Sequence, residues 1–311
     1  MNFLLIAVGL VLLIFGGSWL LKSAVAISLR LEIPKIIIGM TVVSFATSAP
    51  ELIVSVQSAI SGHTDLALSN VIGSNIANLG FVLAITLLIS KIDVQKSFYN
   101  TDWPIMMFAS VLLFYFLYND NTISSTEGII LFSFLIIFLI YLLRFQKQAV
   151  VDEMPEDDEM LPNYKTALYF VLGGLGLWGG SELLIHGATD LALQLGVGER
   201  LIGITIVSIG TSIPELSASV IAIIKKEKAI SLGNLIGSNM FNILAVLGIT
   251  SMITPITVED SELLSTDIYW MLGISFIILP LVFLPKRMRL ELKGGIILLL
   301  LYLAFLYQTI I

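Results

Sequence analysis

Glu51 and Glu215 stand inside runs of sequence that otherwise exclude charge, each closing a Thr-Ser-x-Pro-Glu segment. An isolated ionised carboxylate at membrane depth costs roughly 3 kcal/mol even on forgiving scales, so each needs a cation or a proton. No lysine or arginine lies within those runs, away from their ends, to act as partner. Pro50 and Pro214 lack an amide hydrogen and clash with the carbonyls of Ala46 and Gly210, which predicts a broken helix and freed backbone oxygens. Thr47, Ser48, Thr211 and Ser212 add hydroxyls at the same breaks. A second segment, Gly-Ser-Asn-x-x-Asn, occurs at 73–78 and 237–242. Helical spacing puts Ser74 with Asn78, and Ser238 with Asn242, on one face. Asn75 and Asn239 fall one residue off that face and read as helix-to-helix hydrogen bonders. The donors are all oxygen, which suits hard cations such as Na⁺ and Ca²⁺ and not zinc or copper. Two glutamates neutralise one Ca²⁺, whereas three Na⁺ would leave one positive charge, making exchange electrogenic.

The elements that must hold these residues are membrane helices. The 311-residue chain is 57% hydrophobic and 13% charged, about half the charge of a soluble chain. Mean hydropathy is +0.98. A soluble enzyme is excluded, and with no cysteine so are thiolate metal sites and disulfides. A net charge of −7 argues against nucleic acid as a partner. The first apolar run lacks the basic start and cleavage pattern of a signal peptide and reads as a span. Apolar runs predict ten spans, near 2–29, 34–61, 66–90, 103–118, 127–146, 163–195, 200–224, 230–253, 267–284 and 293–310. Of the 16 lysines and arginines, Arg200 alone falls in an even-numbered loop. The positive-inside rule then makes the odd-numbered loops cytoplasmic and puts both termini outside. The acidic run between Asp152 and Glu159 reads as a solvated cytoplasmic linker, since it lacks the alternating ligands of a calcium loop. Asp102 and Asp267 read as helix-start residues. Glu182, His186 and Asp190 form a polar stripe at the outer end of the sixth span.

The chain is internally duplicated. Residues 38–85 align without a gap on 202–249 with 23 identities in 48 positions, and weaker echoes join Gly16-Gly-Ser18 to Gly179-Gly-Ser181. The organisation expected is a first five-helix repeat at 1–146, an acidic linker at 147–162 and a second repeat at 163–311. Because five is odd, the second copy enters the membrane from the opposite side. An all-α polytopic protein of ten helices in two inverted repeats follows, with both motifs converging near the midplane, as in secondary transporters. No nucleophile–base or metal-hydrolase constellation points to an enzyme.

The paired Thr-Ser-x-Pro-Glu and Gly-Ser-Asn-x-x-Asn segments resemble the two α-repeats of the sodium/calcium exchanger family, within the cation/calcium antiporter superfamily. The resemblance implies Na⁺-driven Ca²⁺ exchange by alternating access, with the first and sixth helices sliding over the other eight. It implies that Na⁺ and Ca²⁺ share Glu51 and Glu215. Thr47 and Thr211, with the carbonyls of Ser44 and Ser208 and the hydroxyls of Ser74 and Ser238, would serve flanking sites. Ser48, Ser212, Asn78 and Asn242 would line the centre. Many members have aspartate where this chain has Asn242, and potassium-dependent members use an acid in that region, so K⁺ co-transport is not expected. H⁺/Ca²⁺ antiport and a cation channel remain as alternatives. No cofactor is expected, protein partners are unassigned, a monomer in a prokaryotic plasma membrane is the expected working unit, and the lipid bilayer is its surroundings.

Overall fold

The computed structural model describes residues 2–145, 161–196 and 210–310. Eight of its helices are long and apolar enough to cross a membrane. They are α1 (Asn2–Leu31), α4 (Thr64–Ile89), α5 (Phe98–Asp120), α6 (Ser125–Arg144), α7 (Asn163–Gln194), α9 (Lys228–Ile253), α10 (Leu263–Phe283) and α11 (Leu292–Thr309). Between α1 and α4, helices α2 (Lys35–Thr47) and α3 (Ala49–Ile60) form one interrupted span. Helix α8 (Ile213–Ile224) is its counterpart in the second repeat. Residues 197–209, which include Arg200, and the acidic run lie outside the described residues. The described residues form a multi-pass, almost entirely helical membrane protein, consistent with ten helices in two inverted repeats.

The interruption falls within the Thr-Ser-x-Pro segment. Ser48 (φ −87°, ψ 2°) and Ser212 (φ −89°, ψ 3°) are the non-helical residues. Pro50 and Pro214 sit in the first turns of α3 and α8, where a missing amide hydrogen costs nothing. The carbonyl of Gly210 is not left open, since Ser181 Oγ donates to it at 2.9 Å.

Two compact units divide the chain, and they cut across the repeats. One holds the described residues of Met1–Thr47 and Tyr141–Asn234, with Ile310; the other holds Ser48–Ile140 and Leu235–Thr309. In the first unit, α1 and α7 meet backbone to backbone. A side chain at Gly16 would put its Cβ 2.7 Å from Leu177 N, and one at Gly180 would lie 2.9 Å from Gly9 O. Small residues let membrane helices approach this closely, and dispersion between backbones then replaces the hydrophobic drive that lipid cannot supply. Ser23 Oγ seals the seam by donating to Thr166 O at 2.9 Å. At one end of this unit the largely buried Lys35 Nζ meets Glu227 Oε1 at 2.8 Å.

The second unit is built around α4 and α9, whose apolar windows are 72% and 83% buried against 28–39% for the other long helices. Helices buried all round carry no amphipathic stripe, so they can devote whole faces to polar contacts with each other. Two short antiparallel ladders join their connecting loops: β1 (Ile92–Asp93) pairs with β4 (Arg289–Leu290), and β2 (Thr122–Ile123) with β3 (Ile256–Thr257). Ile92, Ile123, Ile256 and Leu290 are fully buried there. Helices α5 and α10 begin about four residues before the predicted starts, each with a π-helical turn, Phe98–Asp102 and Leu263–Asp267. Asp102 and Asp267 therefore lie inside helices with ordinary helical dihedrals and make no side-chain cap. Asp102 is wholly buried.

Candidate functional site

In the first unit, Ser44, Thr47 and Asn234 form one polar cluster. Ser44 Oγ donates within 2.8 Å of Gly39 O and 2.9 Å of Asn234 O. Thr47 Oγ1 lies 3.2 Å from Asn234 Oδ1 and 3.3 Å from the carbonyl of Ser44. One hydroxyl hydrogen serves those two acceptors. The amide of Asn234 donates to Ser219 Oγ at 3.1 Å. Close approach makes the cluster possible: a Cβ on Gly39 would sit 2.5 Å from Ile230 O. On α8 in the same unit, Glu215 and Ser212 are buried, and Ser212 Oγ has no hydrogen-bond partner among the described residues. Thr211 is half-buried at the interruption. Ser208 lies outside the described residues.

The second unit holds Ser48, Glu51, Ser74, Asn78, Ser238 and Asn242, all buried. Glu51 stands in the first turn of α3, as Glu215 does in α8. Helix N-termini present unbonded amides and a partial positive charge, which favours a negative side chain in that turn. The interruption therefore does more than free carbonyls: it gives each glutamate a helix start within its span. Asn70 Nδ2 donates to Ser55 Oγ at 3.0 Å and approaches Glu51 O at 3.5 Å, repeating the Asn234–Ser219 contact of the other unit.

Between α4 and α9 the four asparagines of the repeated segments interlock. Asn75 Nδ2 donates to Asn239 O, and Asn239 Nδ2 to Asn75 O, each at 3.2 Å. Asn78 Nδ2 donates to Asn239 Oδ1, and Asn242 Nδ2 to Asn75 Oδ1, each at 3.1 Å. Asn78 Oδ1 and Asn242 Oδ1 are buried acceptors with no hydrogen-bond partner among the described residues. A buried carbonyl oxygen without a donor is costly unless something else occupies its lone pairs, and a cation does so. Asn75 and Asn239 are the helix-to-helix hydrogen bonders that their position off the Ser–Asn face predicts. Asn70, Asn234, Ser55 and Ser219 were not singled out by sequence reasoning, although each pair is identical in both copies at the offset of the glutamates.

Among the described residues, no three His, Cys, Asp or Glu side chains cluster as a metal cage. The available ligands are single carboxylates supplemented by amide, hydroxyl and backbone oxygens. On the polar stripe of α7, His186 is exposed and lies 3.6 Å from Asp190.

Interrupted apolar helices, each carrying a buried carboxylate beside oxygen-only donors, define a cation transporter and not an enzyme. The chain belongs to the sodium/calcium exchanger family, whose model, described as sodium/calcium exchanger protein, matches residues 1–144 and 165–311. Among curated relatives it is 36% identical to a putative antiporter, CaxA, of Alkalimonas amylolytica, over 97% of this chain and 96% of that one. It is 29% identical to the sodium/calcium exchanger MaX1 of Methanosarcina acetivorans, over 98% and 97%. Among solved structures, the sodium-calcium exchanger NCX_Mj soaked without Na⁺ and Ca²⁺ superposes with a TM-score of 0.83, at 25% identity, over 99% of this chain and 98% of that one. The activity of this chain is accordingly cation/Ca²⁺ antiport.

Proposed function

We propose that the chain exchanges Na⁺ for Ca²⁺ by alternating access, electrogenically and without K⁺. The observation that carries this reading is the repeated pairing of one buried glutamate at a helix start with neutral oxygen donors. Glu51 and Glu215 are the charged ligands that Na⁺ and Ca²⁺ compete for. Thr47, Thr211, Ser74 and Ser238, with the carbonyls of Ser44 and Ser208, serve flanking Na⁺. Ser48, Ser212, Asn78 and Asn242 line the centre. Two carboxylates balance Ca²⁺ and are outweighed by three Na⁺, so each cycle moves charge. An amide at 242 supplies no acid for K⁺. The relatives named as sodium/calcium exchangers support Na⁺ as the coupling ion.

Residues 1–146 and 163–311 are the two repeats, joined by a cytoplasmic linker at 147–162, and a monomer is the working unit. The distribution of lysine and arginine supports a plasma-membrane orientation with both termini outside. The test is Ca²⁺ uptake into proteoliposomes loaded with Na⁺ and diluted into Na⁺-free buffer. Matched samples carry a pH gradient instead, or no gradient with voltage clamped, and each is run with and without K⁺. The expected result is uptake on the Na⁺ gradient alone, responsive to voltage and indifferent to K⁺. Uptake driven by the pH gradient would assign H⁺ coupling, and uptake under every condition would make the protein a channel.

A further inference from the structure

Asn75 and Asn239 sit against the ion ligands without being assigned to the ions. We propose that they are positioning residues: they fix the amides of Asn78 and Asn242 so that each turns its Oδ1 oxygen, and not its nitrogen, towards a cation, and they require neutral amides at both positions. This inference rests on the reading of Asn78 and Asn242 as ion ligands.

The argument follows the direction of the hydrogen bonds. A backbone carbonyl can only accept. Because Asn75 Nδ2 is committed to Asn239 O, Asn75 must point its Oδ1 the other way, and there it accepts from Asn242 Nδ2. The nitrogen of Asn242 is thereby used, and its oxygen is the atom left open. The mirrored chain runs from Asn75 O through Asn239 to Asn78. All four side chains are within 1% of complete burial, so water cannot replace a lost partner. Turning any one amide sets oxygen against oxygen, and the two backbone carbonyls decide the polarity of the whole network.

A charge consequence follows. A carboxylate at 242 would face Asn75 Oδ1 with no hydrogen to offer, and could keep that bond only while holding a proton. The side chain at 75 and the amide at 242 are matched, and the permanent negative charge of the ion ligands stays with Glu51 and Glu215.

Asn75→Leu, alone and on an Asn242→Ala background, separates this role from mere packing. The leucine cannot accept from Asn242, so its amide is released to turn. Ca²⁺ affinity should fall by roughly 10- to 100-fold, the range typical of losing an outer-shell partner of a metal ligand. Once Asn242→Ala has removed the oxygen that Asn75 orients, adding Asn75→Leu should lower the affinity by far less, whereas a packing defect would lower it equally on both backgrounds. The probe is radiolabelled Ca²⁺ binding to the full chain in detergent, with thermal unfolding as the folding control. Wild-type affinity in Asn75→Leu, or an equal fold-loss on both backgrounds, would overturn the proposal. If the leucine variant does not fold, Asn75→Ala on the same two backgrounds decides the matter. Binding is measured separately from Na⁺-driven uptake. Wild-type protein that binds Ca²⁺ yet takes none up on a sodium gradient would refute sodium coupling and leave the asparagine comparison intact.

Discussion

Replacing Gly16 by alanine tests the backbone seam between α1 and α7. The added Cβ would lie 2.7 Å from Leu177 N and 2.8 Å from Gly176 C, with Gly173 O at 3.0 Å. Ordinary contact begins near 3.5 Å, so the helices must part by about 1 Å, a gap that forfeits up to half of each dispersion contact along the seam. None of the near atoms is a side-chain end that can swing away; all belong to backbone. Overpacking of this kind costs about 1–3 kcal/mol, offset by up to about 1 kcal/mol from alanine's better helix propensity. Gly179 is the control, since a Cβ there meets no heavy atom within 4 Å. Gly179→Ala keeps only the propensity gain of up to about 1 kcal/mol. The two variants should differ by about 2 kcal/mol, or roughly 5 °C in thermal unfolding in detergent, with Gly16→Ala below wild type and Gly179→Ala at or above it. Na⁺-driven Ca²⁺ uptake should slow in Gly16→Ala alone. Equal melting of the two variants, or a more stable Gly16→Ala, would refute the reasoning.

Three further outcomes are expected. Glu51→Gln and Glu215→Gln should each lower Ca²⁺ affinity by more than about 100-fold, beyond the loss of an outer-shell partner, with unfolding temperatures near wild type; isotope uptake and melting curves check both halves. Asn234→Ala removes the amide that donates to Ser219 Oγ in a buried setting and should destabilise by about 1–3 kcal/mol, which denaturant titration would read. Lys35→Met leaves Glu227 without its 2.8 Å partner and should cost about 3 kcal/mol, whereas the Lys35→Met/Glu227→Leu double variant should recover most of it; a double-variant loss equal to the sum of the single losses would contradict the pairing.

Much of the architecture was legible because its signals are local. Long apolar runs, a shared offset and two prolines suffice to place ten spans, an inverted repeat and two interruptions. The break falls at Ser48 and Ser212, among the hydroxyls expected there, because proline fits the first turn of the helix that follows. The asparagine network was half legible. Spacing separates Asn75 from the face of Ser74 and Asn78, but the direction of its hydrogen bonds depends on a backbone carbonyl of the other repeat, far away in sequence. The strands β1 to β4 escaped notice because two residues carry no alternation to detect.

The π-helical turns also set two faces of each span apart. Asn78–Val82 and Asn242–Leu247 are π-helical, and so are Phe98–Asp102 and Leu263–Asp267. Each widened turn holds one residue more than α-helical spacing allows, which rotates everything beyond it by about 100°. In α4 and α9 the slip begins at the last asparagine of the motif. The face that carries the motif and the apolar face beyond it are therefore set independently within one helix.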